Sequence, residues 1–307
     1  MQVSEGFVDI QVNGYLGVDF NSDDLSAEGM HKACKAIRDS GVDGFLATII
    51  TDQIPTMSAR LARIKELCDA DPFVAESVWG IHIEGPFINK EQGYVGAHPV
   101  DAAGPAELDA TKQLLDAAGG LTRLVTLAPE GDKGMRVTKF LADNDVLVSA
   151  GHCNPTLDQL RAGIDAGLSL FTHVGNGCPA TMERHDNIIQ RVLSLSDQLT
   201  LCWIADGVHV PYFALKNYLR VVDPDRCIVV SDAISAAGLG PGRYALAGKE
   251  VVVDENLVTR MGDDTSHLAG SANSLPEMAK KLRDNLGMPE EQIKQFCCDN
   301  PRRLLGR

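Results

Sequence analysis

The 307-residue sequence lacks several features that mark common classes of protein. No apolar run approaches the roughly 20 residues needed to span a bilayer. Residues 1–8 have neither the cationic start nor the apolar core of a signal peptide. No GxGxxG motif follows the first predicted strand and no GxxxxGK[ST] motif occurs, which disfavours a nucleotide-binding fold. We therefore expect a cytoplasmic protein that does not bind membranes.

Paired cysteines and an excess of basic residues are also lacking. The eight cysteines include no CxxC pair, and the adjacent Cys297 and Cys298 are poorly placed for a mutual disulfide, so we expect reduced thiols. The formal net charge of -14 argues against a nucleic acid or an anionic membrane as partner. A small anionic substrate stays compatible, because a few local cations and helix N-termini can hold a phosphate.

The sequence does contain a regular alternation of short apolar runs and helical patterns. Strands are predicted over residues 7–12, 45–50, 78–83, 124–127, 146–150, 168–172, 199–204 and 227–230. Eight such units favour a (β/α)8 TIM-type barrel, with residues 1–307 forming a single domain. After the eighth strand, the pattern over 238–259 predicts a small hairpin insertion, and helices over 273–286 and 290–305 are expected to close the barrel.

Polar side chains recur at the carboxyl ends of the predicted strands, which converge on one mouth of such a barrel. They are Gln11, Asn13, His82, Glu84, His152, His173, Asp206, His209 and Asp232. One carboxylate and two imidazoles are a familiar ligand set for a catalytic zinc or ferrous ion. We select Glu84, His152 and His173 as ligands of a divalent metal ion.

The other strand-end residues admit simpler roles. His82 fits a core residue or a partner of the ligands, and Asp206 precedes Gly207 in common turn chemistry. Asp232 either caps a helix or acts as a general base that takes a proton from water and passes it to a leaving amine.

Eight segments, in order along nearly the whole chain, resemble the N-acetylglucosamine-6-phosphate deacetylase family of the amidohydrolase superfamily. They are VDIQVNG (8–14), HIEGPF (82–87), GAHP (96–99), GHCN (151–154), TH (172–173), DGVHV (206–210), SDA (231–233) and LAGS (268–271). The resemblance implies a metal-dependent, amidohydrolase-like barrel. It also implies hydrolysis of the acetamide of N-acetylglucosamine 6-phosphate to glucosamine 6-phosphate and acetate.

The resemblance further implies roles for individual residues. Glu84, His152 and His173 would bind the divalent metal, Zn²⁺ or Fe²⁺, and Asp232 would be the catalytic aspartate. The implied substrate contacts, of which His98 is also counted as catalytic, are Ala97, His98, Asn176, Gly177, Arg184, His209, Leu268, Ala269 and Gly270. In relatives the residue matching Arg184 can reach across a dimer interface, so a homodimer is expected.

Three departures from the family leave alternatives open. Gln11 and Asn13 replace the His-x-His of many amidohydrolases, which favours one divalent metal ion per subunit over two. Residues 174–179 and 184–187 differ at the sugar and phosphate contacts. Another N-acetyl amino sugar, phosphorylated or not, or a cyclic amide is therefore an alternative substrate, and a non-catalytic sugar-phosphate binding protein is a further alternative. The family's usual β-sandwich is not evident, so we expect the bottom and one side of the barrel to be exposed.

Overall fold

The computed structural model describes residues 6–262 and 267–307. Eight strands form one parallel sheet in which each strand pairs with the next along the chain. They are β1 (Phe7–Val12), β2 (Val42–Ile50), β3 (Val78–Glu84), β4 (Thr122–Leu127), β5 (Leu147–Ala150), β6 (Leu168–Phe171), β7 (Thr200–Ile204) and β8 (Cys227–Val230). This confirms the predicted succession of strands.

The sheet curls into a nearly closed barrel. Its closure is seen just beyond the ends of the first and last strands, where the two segments are joined by hydrogen bonds. The backbone N–H groups of Asn13 and Gly14 donate to the carbonyl oxygen of Ala233 at 2.7 and 3.2 Å. The Ser231 N–H also donates to the Asp9 carboxylate at 3.2 Å. The predicted (β/α)8 barrel is therefore confirmed.

Helices follow the strands and cover the barrel. They are α1 (Ala27–Asp39), α2 (Ile54–Ala70), α3 (Pro72–Ser77), α4 (Leu108–Ala117), α5 (Arg136–Asp143), α6 (Leu157–Asp165), α7 (Ile188–Leu193), α8 (Tyr212–Leu219), α9 (Leu275–Leu286), α10 (Glu290–Lys294) and α11 (Asn300–Leu304). A π-helical stretch, Gln295–Asp299, joins α10 to α11. Ser26 caps α1 by accepting a hydrogen bond from the Gly29 N–H at 3.0 Å. The short α3 was not predicted; Asp71 caps it and Pro72 occupies its first turn.

The insertion after β8 is larger than the predicted hairpin. It is an antiparallel sheet of three strands, β9 (Gly242–Leu246), β10 (Lys249–Val253) and β11 (Thr259–Met261). The third strand forms because Met261 joins Val251, Val253 and Ile234 in an apolar cluster separate from the barrel core. A tiny antiparallel pair, Gly14–Tyr15 with Val18–Asp19, is too short to show a sequence pattern.

The amino ends of the first strands contact the C-terminal residues of the chain. Arg302 and Arg307 lie over the ring of Trp79, with their guanidinium carbons 5.1 and 5.0 Å from its centroid. Arg302 also pairs with Asp43 and donates to the Gly6 carbonyl oxygen at 3.1 Å. Part of the barrel bottom that we expected to be exposed is therefore covered by the chain's own end. Within residues 6–262 and 267–307, no helix has the length and apolar character needed to cross a membrane.

Candidate active site

The carboxyl ends of the barrel strands surround a cavity of about 1110 Å³. Most residues singled out in the sequence line it: Asn13, Glu84, Ala97, His98, His152, His173, Asn176, Gly177, His209, Asp232, Leu268 and Gly270. Ala269 does not, because it is buried in the apolar cluster of the β9–β11 sheet. Arg184 lies exposed on the loop between β6 and α7, outside the cavity lining.

Three polar residues of the cavity share an unusual backbone conformation. His152, His173 and Asp232 each lie two residues past a strand end and have φ angles of 50°, 33° and 49°. A non-glycine residue in this left-handed region costs about 1–2 kcal/mol. Such strain persists only where the surrounding structure determines it, and it concentrates at functional sites.

The side chains of Glu84, His152 and His173 converge on one point. Glu84 Oε1 lies 3.0 Å from His173 Nε2 and 3.3 Å from His152 Nε2, and the two imidazole nitrogens are 3.1 Å apart. All three residues are buried. Tetrahedral ligands with bonds of roughly 2.0–2.1 Å are separated by about 3.3 Å. These three atoms therefore have the spacing of ligands around one metal ion.

The hydrogen bond made by His152 decides which of its nitrogens carries hydrogen. Its Nδ1 lies 2.7 Å from the carbonyl oxygen of Tyr94, which can only accept, so Nδ1 is the donor. In the neutral ring Nε2 then presents a lone pair to the Glu84 carboxylate. Two acceptor atoms 3.3 Å apart repel each other unless a cation or a proton lies between them. The arrangement thus fits a bound cation.

His98 lies closer to this cluster than the sequence indicated. Its ring centroid is 4.4 Å from that of His152, and donor atoms of Glu84, His98 and His152 all lie within 4.8 Å of one another. Burial and the neighbouring His152 lower the pKa of His98 to about 3, so its imidazole is neutral. The family resemblance implies catalysis and substrate contact for His98, and the structure also makes it a possible metal donor.

Asp232 is held by the amide side chains of β1 and the residue after it. Its Oδ1 accepts from Asn13 Nδ2 at 2.7 Å and from Gln11 Nε2 at 3.2 Å. The same Gln11 nitrogen donates to Glu84 Oε2 at 3.2 Å, so the two carboxylates are held side by side. Burial and the charge of Glu84 raise the pKa of Asp232 to about 7. In the metal-free protein, Asp232 is therefore expected to exchange its proton closer to neutral pH than an ordinary aspartate does.

His82 lies in the barrel core, as one of its predicted roles required. It is fully buried, and its Nε2 lies 2.8 Å from the hydroxyl of Thr126. Burial lowers its pKa to about 4, which keeps the ring neutral. Thr126 continues through Thr172 to Ser149 in a chain of hydroxyl contacts of 2.8 and 2.6 Å.

Asp206 has a role beyond the predicted turn. Its Oδ1 accepts from the N–H groups of Val208 and His209, which is the turn, but its Oδ2 also lies 2.7 Å from His209 Nδ1. Burial opposes the charge on His209, yet the Asp206 carboxylate outweighs it and raises the pKa of His209. The paired imidazole in turn holds the pKa of Asp206 at about 2, against the effect of burial. The Asp-x-x-His spacing in the sequence was the missed signal.

The Asp206–His209 pair bears on anion binding, because the cavity has few sources of positive charge. Among the lining residues that the structure describes there is no arginine or lysine. His209 lines the cavity and is buried with its carboxylate partner, so it is the clearest candidate there for a side chain whose cationic form is favoured.

Comparison with known proteins identifies relatives over almost the whole chain. No family model matches the sequence. N-acetylglucosamine-6-phosphate deacetylase of Bos taurus is 32% identical over 314 residues, covering 99% of this chain and 74% of the relative. The Homo sapiens protein of that name is 33% identical over 317 residues, with the same coverage. N-acetylgalactosamine-6-phosphate deacetylase of Escherichia coli O157:H7 is 30% identical over 303 residues, covering 98% and 77%.

Solved structures of deacetylases with the same name have the same fold as this chain. A mutant N-acetyl-D-glucosamine-6-phosphate deacetylase from Mycobacterium smegmatis, in complex with N-acetyl-D-glucosamine-6-phosphate, gives a TM-score of 0.88 at 27% identity. The match covers 98% of this chain and 77% of that one. The Thermotoga maritima N-acetylglucosamine-6-phosphate deacetylase gives 0.84 at 27% identity, covering 98% and 78%.

The barrel and the buried Glu84, His98 and His152 cluster at its mouth define a hydrolase of the amidohydrolase class. The relatives identify the family within this class, because they match 99% of this chain at about 30% identity. The chain belongs to the N-acetylglucosamine-6-phosphate deacetylase family and is a deacetylase of that family.

Proposed function

We propose that the protein hydrolyses the acetamide of N-acetylglucosamine 6-phosphate, releasing acetate and glucosamine 6-phosphate, with one divalent metal ion, Zn²⁺ or Fe²⁺, in each subunit. The observation that carries the proposal is the convergence of Glu84, His152 and His173, with 3.0–3.3 Å between their nearest donor atoms. The lone pair of His152 Nε2, directed at a carboxylate, is satisfied by a cation at that point. These residues would hold the metal ion.

When bound, such an ion supplies Lewis acidity that polarises the acetamide carbonyl and lowers the pKa of water towards neutrality. The protein's part in the chemistry is the movement of a proton. Asp232 in its ionised form accepts the proton of the attacking water and then donates it to the departing amine nitrogen. The carboxyl group must change its protonation state twice in each turnover, and the burial that raises its pKa favours uptake of the proton.

The hydrogen bonds to Asp232 orient it for this task. Gln11 and Asn13 both donate to Oδ1, and no described residue donates a hydrogen bond to Oδ2, so the second oxygen is available for the proton. The neutral His98, 8% exposed in the cavity wall, would contact the acetamide group. Its low pKa means that it interacts as a neutral hydrogen-bonding imidazole.

The remaining contacts would hold the sugar and its phosphate. His209, whose pKa the Asp206 carboxylate raises against the effect of burial, would attract an anion in its protonated form. Polar groups are also offered by Asn176 and Gly177, on the loop after the neighbouring strand β6. Ala97, Leu268 and Gly270 contribute wall surface. Arg184 stays a predicted phosphate contact; because it is exposed and outside the cavity lining, we propose that it reaches the phosphate bound by the second copy of a homodimer. The dimer is part of the proposal.

The corresponding N-acetylgalactosamine phosphate is the second candidate substrate, because the E. coli deacetylase named for it is 30% identical to this chain. The two sugars differ only in the configuration of one hydroxyl group, and a contact to that hydroxyl decides between them. A site built to bind a hydroxyl group rejects the wrong partner strongly, because its own polar groups are otherwise left unpaired.

The test is acetate release from a small panel of substrates by metal-free and metal-loaded protein. The panel contains the 6-phosphates of N-acetylglucosamine and N-acetylgalactosamine, together with unphosphorylated N-acetylglucosamine. We expect no release after treatment with a chelator, recovery with Zn²⁺ or Fe²⁺, and the highest kcat/KM for N-acetylglucosamine 6-phosphate. Higher kcat/KM for either other sugar would refute the substrate assignment, and full activity without metal would refute the metal site.

A further inference from the structure

Glu130 is a carboxylate near the barrel mouth that the proposed chemistry does not use. It lies in the 3-10 turn Pro129–Gly131, just after β4. Its Oε1 accepts from Asn89 Nδ2 at 3.0 Å and from the backbone N–H of Asn154 at 2.5 Å. Its Oε2 is shielded from solvent and has no hydrogen-bond partner among the described residues. Burial raises the pKa of this carboxyl group.

Asn89, the first partner of Glu130, binds the backbone around His152. The Asn89 N–H donates to the carbonyl oxygen of His152 at 2.9 Å. The two bonds to Asn89 and Asn154 therefore hold the chain on both sides of Cys153, immediately after His152.

The side chain of Asn89 also starts the turn that holds the His152 ring. Its Oδ1 accepts from the Glu91 N–H at 2.9 Å, and the Glu91 carbonyl oxygen accepts from the Tyr94 N–H at 3.1 Å. This turn presents the Tyr94 carbonyl oxygen to His152 Nδ1 at 2.7 Å. One segment thus fixes the backbone, the ring orientation and the tautomer of His152.

We propose that Glu130 is a positioning residue for His152, acting through Asn89 and Asn154. The proposal rests on the proposed function, in which His152 is a metal ligand. His152 has a φ angle of 50°, a conformation that only its surroundings can maintain. Loss of the shared acceptor Oε1 frees both the backbone after His152 and the turn that carries Tyr94.

A purely structural role for Glu130 makes a different prediction, and the chain contains a matched control. Asp132, two residues further on, is buried and accepts two backbone N–H groups, those of Val137 and Thr138, at 3.1 and 2.7 Å. These belong to helix α5 and not to the loops that hold His152. Removing Asp132 should therefore lower stability without changing the metal site.

The experiment measures Zn²⁺ affinity of metal-free protein by competition with a chromophoric chelator, alongside Tm. Partners that orient metal-ligating histidines typically contribute about 10–100-fold to affinity. We expect that loss for Glu130→Ala. Glu130→Gln keeps an oxygen acceptor for both donors and should stay within about threefold of the wild type. Asp132→Ala should lower Tm and leave the affinity unchanged.

Wild-type affinity in Glu130→Ala would overturn the proposal, and so would an equal loss of affinity in Glu130→Gln and Asp132→Ala. Should Glu130→Ala not fold, Asn89→Ala serves instead: it leaves Glu130 in place, and retained affinity there also overturns the proposal. A wild-type protein that binds no Zn²⁺ gives a different signature, because it refutes the metal site of the proposed function together with this inference.

Discussion

Replacing Asp232 by asparagine should make the protein less active and, without metal, more stable. Asparagine keeps the Oδ1 acceptor for Asn13 and Gln11, so the local hydrogen bonds survive. It removes the ionisable oxygen that the proposed proton transfer needs. Opposite effects on activity and stability from one substitution are expected where a functional group is held in an unfavourable environment.

The magnitude of the stability effect follows from the pKa of Asp232. Burial and Glu84 raise this pKa from 3.8 to about 7, and one pKa unit corresponds to about 1.4 kcal/mol. Between about pH 4 and 7 the native protein binds more protons at this site than the unfolded chain, so its free energy of unfolding falls as the pH rises. In the asparagine variant, position 232 does not ionise, so this contribution to the pH-dependent fall in the free energy of unfolding is absent. The variant's advantage should grow from near zero at pH 4 to at most about 4 kcal/mol at pH 8.

Two assays check this reasoning. Urea unfolding of both chelator-treated proteins between pH 4 and 8 gives the difference in free energy, and acetate release by the metal-loaded proteins gives kcat. Loss of a general acid–base group typically reduces the rate by about 10²–10⁴-fold. Unfolding curves with the same pH dependence in both proteins would refute the assigned pKa, and a kcat within tenfold of the wild type would refute the catalytic role.

Two further substitutions test the pH dependence and the phosphate site. Burial raises the pKa of Asp9 from 3.8 to about 6, so the metal-free Asp9→Asn variant should gain up to about 3 kcal/mol over the wild type as the pH rises from 4 to 7. No pH-dependent gain in urea unfolding would contradict that value. Arg184→Ala should raise KM for the phosphorylated sugar about tenfold or more, the effect of losing a charged hydrogen bond, and leave KM for the unphosphorylated sugar unchanged. An equal change in both KM values would show that Arg184 does not meet the phosphate.

The barrel could be predicted because its signal is local. Short apolar runs suit strands covered on both faces, and helical patterns between them require parallel strands, so the order of elements implied the topology. The α3 helix could not be predicted, because its six residues, Pro72–Ser77, are too few to show a helical period. The third strand of the insertion could not be predicted, because its burial depends on Ile234 and Val251, which lie elsewhere in the chain.

The site could be predicted in part for the same reason. Parallel strands of a barrel end at one mouth, so Glu84, His152, His173 and Asp232 had to lie near each other once the strands were known. His98 could not be placed, because it comes from the long loop between β3 and α4, whose path no local pattern specifies. The Asp206–His209 pair and the exposed position of Arg184 likewise depend on loop geometry.

By itself the amino-acid sequence determined the order of strands and helices and the chemical types of the side chains at the barrel mouth, because both follow from neighbouring residues and from the alternation of the backbone. The tertiary structure alone decided the hydrogen bonds between loops: which nitrogen of His152 carries hydrogen, which oxygen of Asp232 is engaged, and how Glu130 reaches the backbone of Asn154. Those contacts join residues up to 221 positions apart, as between Gln11 and Asp232, and their angstrom-scale distances result from packing of the whole barrel.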